Sequence, residues 1–279
     1  MYVINFDQKS KIKNKTLILG AFESFHNGHN ILLEKAKEHK SKICMTVFKD
    51  TKKIPSKNSD WEYSTFKLRL EQFASLGIDE VIVIDFKKIK NLSSGEFIDQ
   101  LKSNHQISRV IVGKNFKYGT GAKGDTKTLA ANFQNLEVVD LLKYNDKFIS
   151  TSFLKELVTI GEFDLINSIS QFPYASNIKI DDKKIISNTG PKLLPGVYGC
   201  FVVANELRYW SYIWISKQEV KEIIIPDLNQ TQKNAHNLEV HFITRIRQIN
   251  TKIHDKVTDE DIEKIKNKLL LFLNKNQYF

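Results

Sequence analysis

The first 150 residues alternate short apolar runs with segments of helical periodicity. We predict strands at the apolar runs Thr16–Phe22, Ile43–Phe48, Glu80–Phe86, Ser108–Val112 and Leu136–Asp140. Helices are predicted between them, since Phe66, Leu70 and Phe73 recur at helical spacing and Ser93-x-x-Glu96 forms a capping box. Apolar strands that alternate with helices are typical of a parallel sheet covered on both faces. Ligands of such sheets bind beyond the carboxyl ends of the strands.

After about residue 172 the pattern changes to short β-rich runs separated by turn residues. These runs cover Asn177–Ile180, Gly196–Ala204, Tyr209–Ile215 and Leu238–Ile243. They predict a small antiparallel barrel or sandwich. A final helix is predicted from Thr258 to about Asn274, with an apolar stripe that includes Ile265 and Leu269. The expected fold is therefore α/β, with a parallel-sheet domain over residues 1–165 and a β-barrel domain with a C-terminal helix over 172–279.

Composition excludes several classes of protein. The net charge of +10 is spread along the chain without a basic block or an aromatic-interleaved RNA motif, so nucleic acid is not an expected partner. No run approaches the roughly 18 apolar residues that span a bilayer, so no membrane partner is expected. Cys44 and Cys200 are too few for a disulfide framework or a zinc cluster, which favours a cytoplasmic location. No oligomeric state is predicted.

The most informative stretch runs from Leu17 to Asn30. An apolar strand leads to Gly20, and His26-Asn27-Gly28-His29 then opens an amphipathic helix. The free N–H groups and the positive dipole end of a helix attract phosphate, and imidazoles can donate hydrogen bonds to its oxygens as charge develops. Gly28 leaves room for a phosphate to approach the backbone. This pattern predicts a polyphosphate site.

Further motifs follow the later strands. Gly113-Lys114-Asn115-Phe116-Lys117-Tyr118-Gly119 follows the fourth strand, and Leu76-Gly77-Ile78-Asp79-Glu80-Val81 follows the second helix. Ile149-Ser150-Thr151-Ser152-Phe153-Leu154-Lys155 opens a helix after the fifth strand. Its hydroxyls, N–H groups and lysine could bind phosphate.

In this order the motifs resemble the prokaryotic bifunctional riboflavin kinase/FMN adenylyltransferases, the FAD synthetases. The resemblance implies a Rossmann-like nucleotidyltransferase domain followed by a riboflavin kinase barrel. It implies that ATP with Mg²⁺, and FMN, are the substrates, with FAD as product. It assigns catalytic roles to His26, His29 and Lys155. It assigns nucleotide binding to Gly20, Phe22, Gly28, Gly113, Asn115, Ser150, Thr151 and Ser152. No dedicated metal ligands are expected, because Mg²⁺ would be held mainly by phosphate oxygens and water.

The chain departs from the family pattern at four positions. Glu23-Ser24 stands where the family has Asp-Gly, so the charge is kept but any positive φ at residue 24 is restricted. Asn115 replaces an aspartate and can still bond a ribose hydroxyl. Lys155 replaces an arginine and keeps a phosphate-binding charge. Adenylyl transfer is therefore expected to be intact.

The second half resembles the kinase less closely. Leu238-Glu239-Val240-His241 resembles the strand that carries the general base, at Glu239 here. The family's G-x-P-T-x-N loop, which holds the metal and the ATP phosphates, has no clear counterpart before Gly196. We therefore expect a degenerate kinase site.

Several alternatives stay open. The protein could also phosphorylate riboflavin, could be a non-catalytic binder of flavin or nucleotide, or could be another nucleotidyltransferase for a small substrate. Ser150, Thr151 and Ser152 could simply cap a helix, and Glu239 could be a surface residue of a strand.

Overall fold

The structure is a computed structural model that describes residues 1–54, 60–204, 206–218, 220–227, 237–251 and 255–275. The chain divides into two compact units, Met1–Thr151 and Ser152–Phe279. The boundary predicted from the sequence, between residues 165 and 172, concerns functional domains and stays a prediction.

The first unit is built on a six-stranded sheet in which every pair of neighbouring strands is parallel. Its strands are β1 (Tyr2–Asn5), β2 (Lys15–Leu19), β3 (Ile43–Phe48), β4 (Glu80–Ile84), β5 (Ile107–Gly113) and β6 (Leu136–Val139). They lie in the order β1-β4-β3-β2-β5-β6. The predicted parallel sheet is confirmed, with β1 as an additional edge strand.

Helices connect these strands, as the alternating pattern predicts. They are α1 (Asn27–Glu38), α2 (Phe66–Ser75), α3 (Phe86–Ile89), α4 (Ser94–His105) and α5 (Thr126–Ala130). A short ribbon of β7 (Lys143–Tyr144) and β8 (Lys147–Phe148) follows β6. Ser93 and Glu96 form the predicted capping box of α4.

Three predicted strands extend too far. β2 ends at Leu19, because Phe22 has a left-handed φ of 45° that a strand cannot contain. β4 ends at Ile84, because the Asp85 carboxylate accepts from Lys87 N and caps α3. β6 ends at Val139, which places Asp140 just beyond the carboxyl end of the sheet.

A charged pair is buried at the amino ends of β2 and β4. The ammonium of Lys15 contacts the carboxylate of Glu80, and both side chains are almost completely buried. The Ser10 hydroxyl bridges them, accepting from Lys15 at 2.6 Å and donating to Glu80 at 2.6 Å. The Cys44 thiol donates to the same carboxylate at 3.4 Å. Removing two such charges from water costs free energy, and the loss of either partner leaves the other charge buried without compensation.

His105 makes the stability of this unit depend on pH. The ring is fully buried at the end of α4 and lies 3.0 Å, through Nε2, from the carbonyl oxygen of Phe6. Burial lowers the pKa of His105, and the Phe6 hydrogen bond and the nearby Glu80 oppose that effect only in part. Below the unfolded pKa of about 6.5, the unfolded chain therefore binds a proton that the folded chain does not.

We expect stability to fall as the pH drops from about 6.5 towards the lower folded pKa of His105. The slope from one such group approaches about 1.4 kcal/mol per pH unit. Amide hydrogen exchange of α4 and β4, measured between pH 5 and 7, reports this free energy. His105→Gln keeps an N–H donor but cannot titrate, so it should flatten the dependence. An equal slope in that variant would contradict the assignment.

The second unit is a closed antiparallel barrel with strand order β10-β13-β12-β11-β14-β9. Its strands are β9 (Tyr174–Asp181), β10 (Lys184–Asn188), β11 (Gly196–Ala204), β12 (Leu207–Ile215), β13 (Lys221–Ile224) and β14 (Asn237–Gln248). Its helices are α6 (Thr151–Ile160), whose first residue belongs to the first unit, α7 (Phe163–Ile169) and α8 (Asp259–Lys275). The predicted barrel and final helix are confirmed.

Helix α8 packs on the barrel through its predicted stripe. Ile265 and Leu269 are buried against Val197 and Ile243 of the barrel. The Asp261 carboxylate receives two hydrogen bonds from Nε of Arg247, at 2.9 and 3.1 Å. None of the helices described in the chain is long and apolar enough to cross a membrane.

Candidate active site at the carboxyl edge of the parallel sheet

A cavity of about 790 Å³ lies beyond the carboxyl ends of the parallel strands. It is lined by residues that follow β2, β3, β4, β5 and β6. Among the residues predicted from the sequence, those that line it are Gly20, Phe22, His26, Gly28, His29, Gly113, Asn115, Ser150 and Thr151. Motifs more than 100 residues apart therefore share one cavity, at the position where parallel sheets bind ligands.

The two histidines form a stacked pair at the start of α1. Their ring centroids lie 3.7 Å apart, with an angle of 16° between the planes. His26 is the N-cap, and its Nδ1 accepts from the backbone N–H of His29 at 3.3 Å. The ring of His29 also packs against Phe22, with centroids 4.7 Å apart. The pair is thus held by the backbone of α1 and by a buried aromatic ring.

Gly28 packs closely against His26. A Cβ atom at residue 28 would lie 3.1 Å from both Cε1 and Nδ1 of the His26 ring. A side chain there would require the imidazole to move by a few tenths of an ångström. The glycine therefore fits the histidine, in addition to leaving the start of α1 open to a phosphate.

Ser24 links the histidine loop to the motif that contains Thr151. The two hydroxyl oxygens lie 2.8 Å apart and both side chains are buried. The positive φ in this loop falls on Phe22 rather than on residue 24, so the loss of the family's glycine introduces no strain at Ser24. The serine instead ties together two motifs that line the same cavity.

We expect Ser24 and Thr151 to be energetically coupled. Each hydroxyl loses its partner in Ser24→Ala or Thr151→Val, and a coupling of about 0.5–1.5 kcal/mol is typical of one buried hydrogen bond. A double-mutant cycle on the free energy of unfolding, with both single variants and the double variant, measures it. Additive effects of the two single changes would show that the hydroxyls act independently.

Glu23 lies behind the cavity rather than in its lining. Its side chain is buried, and Oε1 accepts from the backbone N–H of Tyr63 at 2.9 Å. The carboxylate therefore joins the histidine loop to the segment that precedes α2. The contact joins residues 40 positions apart in the sequence, so only the fold reveals it.

Arg69 fixes the chain that leaves β3. Its guanidinium is buried and donates to the carbonyl oxygens of Phe48, at 2.7 Å, and Lys49, at 3.3 Å. Burial lowers the pKa of Arg69, and the negative charges of Glu62 and Glu23 oppose this. The arginine thus shapes the cavity wall, because Phe48 belongs to the lining.

Much of the remaining lining of the cavity is aromatic or aliphatic. The apolar and aromatic residues lining it beyond the histidine loop include Phe48, Ile54, Phe86, Ile89, Phe116 and Tyr118. Tyr118 is held by its hydroxyl, 2.8 Å from Oγ1 of Thr128, and burial raises its pKa. None of these six residues is predicted as a site residue, although Phe116 and Tyr118 lie in the motif that follows the fourth predicted strand. The other four lie at or after the carboxyl ends of β3 and β4, and this position is the signal that could have found them.

Charged groups are few in the lining and mostly positive. Lys90 and Lys117 line the cavity. Among the lining residues that the structure describes, Asp140 carries the only carboxylate. It was missed because the predicted strand included it.

Three predicted residues lie in the second unit. Ser152 and Lys155 belong to α6, directly after Thr151, and their roles stay predictions. Glu239 lies on β14, where its Oε1 is 2.7 Å from Nε2 of His241. In the described part of the chain, no cluster of three His, Cys, Asp or Glu side chains is arranged to hold a metal ion.

Glu239 has further polar neighbours in the barrel. It lies opposite Asn177 of β9 in the antiparallel register, so the two side chains share a face. Thr189 in turn pairs with Asn177: its N–H donates to the Asn177 carbonyl at 2.9 Å, and its hydroxyl accepts from Asn177 N at 3.1 Å. Glu239 and Asn177 are thus neighbours across the two strands, whereas the Thr189 hydroxyl contacts the backbone of Asn177 and lies 3.3 Å from the hydroxyl of Ser176.

Comparison with known proteins gives a consistent assignment for the first unit. A family model described as FAD synthetase matches residues 8–153. The bifunctional riboflavin kinase/FMN adenylyltransferase of Bacillus subtilis is 24% identical over 177 residues, which cover 60% of this chain and 56% of that protein. The chain therefore spans about half the length of this relative.

Two other similarities extend over more of the chain. The trifunctional protein RibF/MnmA of Mycoplasmoides gallisepticum is 26% identical over 257 residues, covering 84% of this chain and 35% of that protein. A crystal structure described as a macrolide-efflux protein from Streptococcus pneumoniae has a TM-score of 0.78 and covers 98% of this chain and 99% of its own. At 17% identity, that likeness concerns the fold alone.

Proposed function

This chain belongs to the FAD synthetase family, and on that premise we propose that it transfers the adenylyl group of ATP to FMN, giving FAD and pyrophosphate. The observation that carries the proposal is the meeting of His26, His29, Ser150 and Thr151 in one cavity at the carboxyl edge of the sheet. The acceptor would be FMN because the lining of the same cavity includes the aromatic rings of Phe48, Phe86 and Phe116, against which a flavin can pack.

The reaction needs positioning more than acid–base chemistry. A phosphate oxygen of FMN attacks the α-phosphorus of ATP in line, and the bond from that phosphorus to the oxygen bridging to the β-phosphorus breaks. Pyrophosphate leaves with the electron pair of the broken bond. The attacking phosphate is already an anion, so neither a strong base nor a covalent enzyme intermediate is required. Alignment of the two substrates and stabilisation of developing charge supply the catalysis.

Each motif has a role in this scheme. His26 and His29 donate hydrogen bonds to the α- and β-phosphates, above the N-terminus of α1. Ser150 and Thr151 bind the departing pyrophosphate, and the sequence-based assignment adds Ser152 and Lys155 to this group. Gly113 and Asn115 contact the adenosine, while Gly20 and Phe22 shape the turn beside it. Arg69 acts indirectly, through the backbone of Phe48.

ATP would enter as its Mg²⁺ complex. With Asp140 the only carboxylate in the described lining, the cavity suits a metal carried by phosphate oxygens and water, rather than one resident on the protein. We place the reaction in the cytoplasm, because ATP is available there. Cys44 and Cys200 are both free and buried, and their thiols would stay reduced in that compartment.

Riboflavin kinase activity in the barrel is the second candidate function. Phosphoryl transfer needs a base together with groups that hold the metal and phosphates. Glu239 and its cross-strand neighbour Asn177 offer a carboxylate and an amide, and Thr189 contacts the backbone of Asn177, but the order of these residues along the chain differs from the family's loop. The contact of Glu239 with His241 occupies one oxygen of the proposed base. We assign the adenylyltransferase to residues 1–165 and the kinase-like barrel to 172–279.

The two activities are separated by incubating the protein with MgATP and either FMN or riboflavin. Chromatography then resolves riboflavin, FMN and FAD. FAD from FMN alone supports an adenylyltransferase with an inactive barrel, whereas FMN or FAD from riboflavin supports both activities. Glu239→Gln should abolish only the second result. Tight binding of ATP and FMN without any product would instead favour a non-catalytic binder.

A further inference from the structure

We propose that Asp140 determines nucleotide specificity by accepting a hydrogen bond from the ribose 2′-hydroxyl of ATP. The inference rests on the proposed function, because it takes ATP as the ligand of this cavity. Neither the sequence motifs nor the family pattern assigned a role to this residue.

The position of Asp140 follows from the sheet. Gly113 and Val139 are partners across the parallel strands β5 and β6, and Lys114 N donates to the Val139 carbonyl at 2.9 Å. Asp140 is the next residue after Val139, so it leaves the sheet beside the loop that contains Asn115. Both Asp140 and Asn115 line the cavity. The carboxylate is therefore placed next to the loop to which the adenosine is assigned.

Charge then restricts what this carboxylate can bind. ATP, FMN and pyrophosphate are all polyanions, and a carboxylate repels their phosphates. The part of such a ligand that suits a carboxylate is therefore a neutral group that presents hydrogen-bond donors. The ribose hydroxyls are donors of this kind, and a carboxylate binds the ribose 2′-hydroxyl in the dinucleotide sites of doubly wound parallel sheets.

The carboxylate is also available for this contact. Lys114 Nζ lies 2.9 Å from Oδ1 and is the one hydrogen-bond partner of Asp140 within the described residues. The Asp140 side chain is 85% exposed, so a ligand can reach its second oxygen. Asn115 is neutral, so Asp140 supplies the acidic acceptor next to this loop.

The test compares ATP with 2′-deoxyATP and 3′-deoxyATP as substrates with FMN. The wild-type protein should prefer ATP over 2′-deoxyATP by about 10- to 100-fold in kcat/KM, the range expected for a hydrogen bond to a charged group. Asp140→Ala should reduce this preference to about 3-fold or less and raise the KM for ATP. Asp140→Asn keeps an acceptor oxygen and should give an intermediate value.

The sign of the KM change distinguishes the proposal from a surface role. If Asp140 merely faced solvent, removing its negative charge would lower the KM for ATP or leave it unchanged, and the preference for ATP would persist. A preference lost only against 3′-deoxyATP, or a rise confined to the KM for FMN, would also overturn the assignment. Asp146→Asn removes the same charge from the nearby β7–β8 turn, which does not line the cavity, and should change none of these values.

Equilibrium binding of ATP and 2′-deoxyATP, measured by calorimetry without FMN, separates this proposal from the proposed function. Selective ATP binding that is lost in Asp140→Ala supports the 2′-hydroxyl contact even if no FAD forms. FAD synthesis by the wild-type protein with an unchanged preference in Asp140→Ala defeats the inference and leaves the proposed function standing.

Discussion

Replacing His26 by alanine should lower the turnover of FAD synthesis by more than about 100-fold. The imidazole lines the cavity at the start of α1 and is assigned to the phosphates between which the bond breaks. Loss of one donor that stabilises developing charge typically costs about 100- to 1000-fold in kcat. Steady-state kinetics with saturating MgATP and FMN measure the change.

The control for this variant follows from the second role of His26. Its Nδ1 caps α1, so alanine also removes an N-cap worth about 1 kcal/mol. Asn is a strong N-cap residue but has no imidazole, so His26→Asn should keep the stability and still lose turnover. Turnover near the wild-type value in His26→Asn would show that the histidine acts only as a cap.

Replacing Lys15 by methionine should cost the first unit about 3–5 kcal/mol of stability. The change leaves the carboxylate of Glu80 buried with only Ser10 and Cys44 as neutral partners. An uncompensated buried charge is strongly destabilising. Hydrogen exchange of the amides in β2, β3 and β4 measures this free energy in the intact protein.

The double variant Lys15→Met with Glu80→Leu provides the matched control. Apolar side chains of similar volume often replace a buried ion pair at little cost, so much of the lost stability should return. The kinetics of FAD synthesis should be unaffected by the pair, since neither residue lines the cavity. Equal destabilisation in the single and double variants would mean that lost packing, rather than the unpaired charge, is responsible.

The strands of the sheet were predictable because most of them are continuously apolar. β2, β3 and β4 are buried on both faces, and such runs give a clear signal. The edge strand β1 is mostly exposed, and in the barrel β10 is also largely exposed, so neither has the pattern of a buried strand. The ends of the strands were predicted least accurately. A single backbone angle, such as the φ of Phe22, determines where a strand ends, and the hydrophobic pattern does not show it.

The sequence predicts those residues of the candidate site that belong to short, continuous motifs. His26, His29, Ser150 and Thr151 are recognisable from short patterns, and the sheet brings them to one edge. The contacts that hold them are not local. Ser24 meets Thr151 across 127 residues, and Glu23 meets Tyr63 across 40. Neither hydrophobic periodicity nor a short motif indicates a contact between residues so far apart in the sequence, so only the fold reveals these contacts.

Asp140 shows how an error in a strand end hides a functional group. The predicted strand Leu136–Asp140 includes this residue as its last position, where a polar side chain attracts no attention. One residue beyond Val139, it becomes the only carboxylate among the described residues that line the cavity. Residues just past the carboxyl ends of parallel strands therefore merit separate attention in a sequence.

The most direct test of the central claim uses ATP labelled at the α-phosphorus, incubated with the protein, Mg²⁺ and unlabelled FMN. The account predicts that the label enters FAD, with one pyrophosphate released for each FAD formed. Label that remains in ATP or appears in free AMP, with no labelled FAD, would contradict the account.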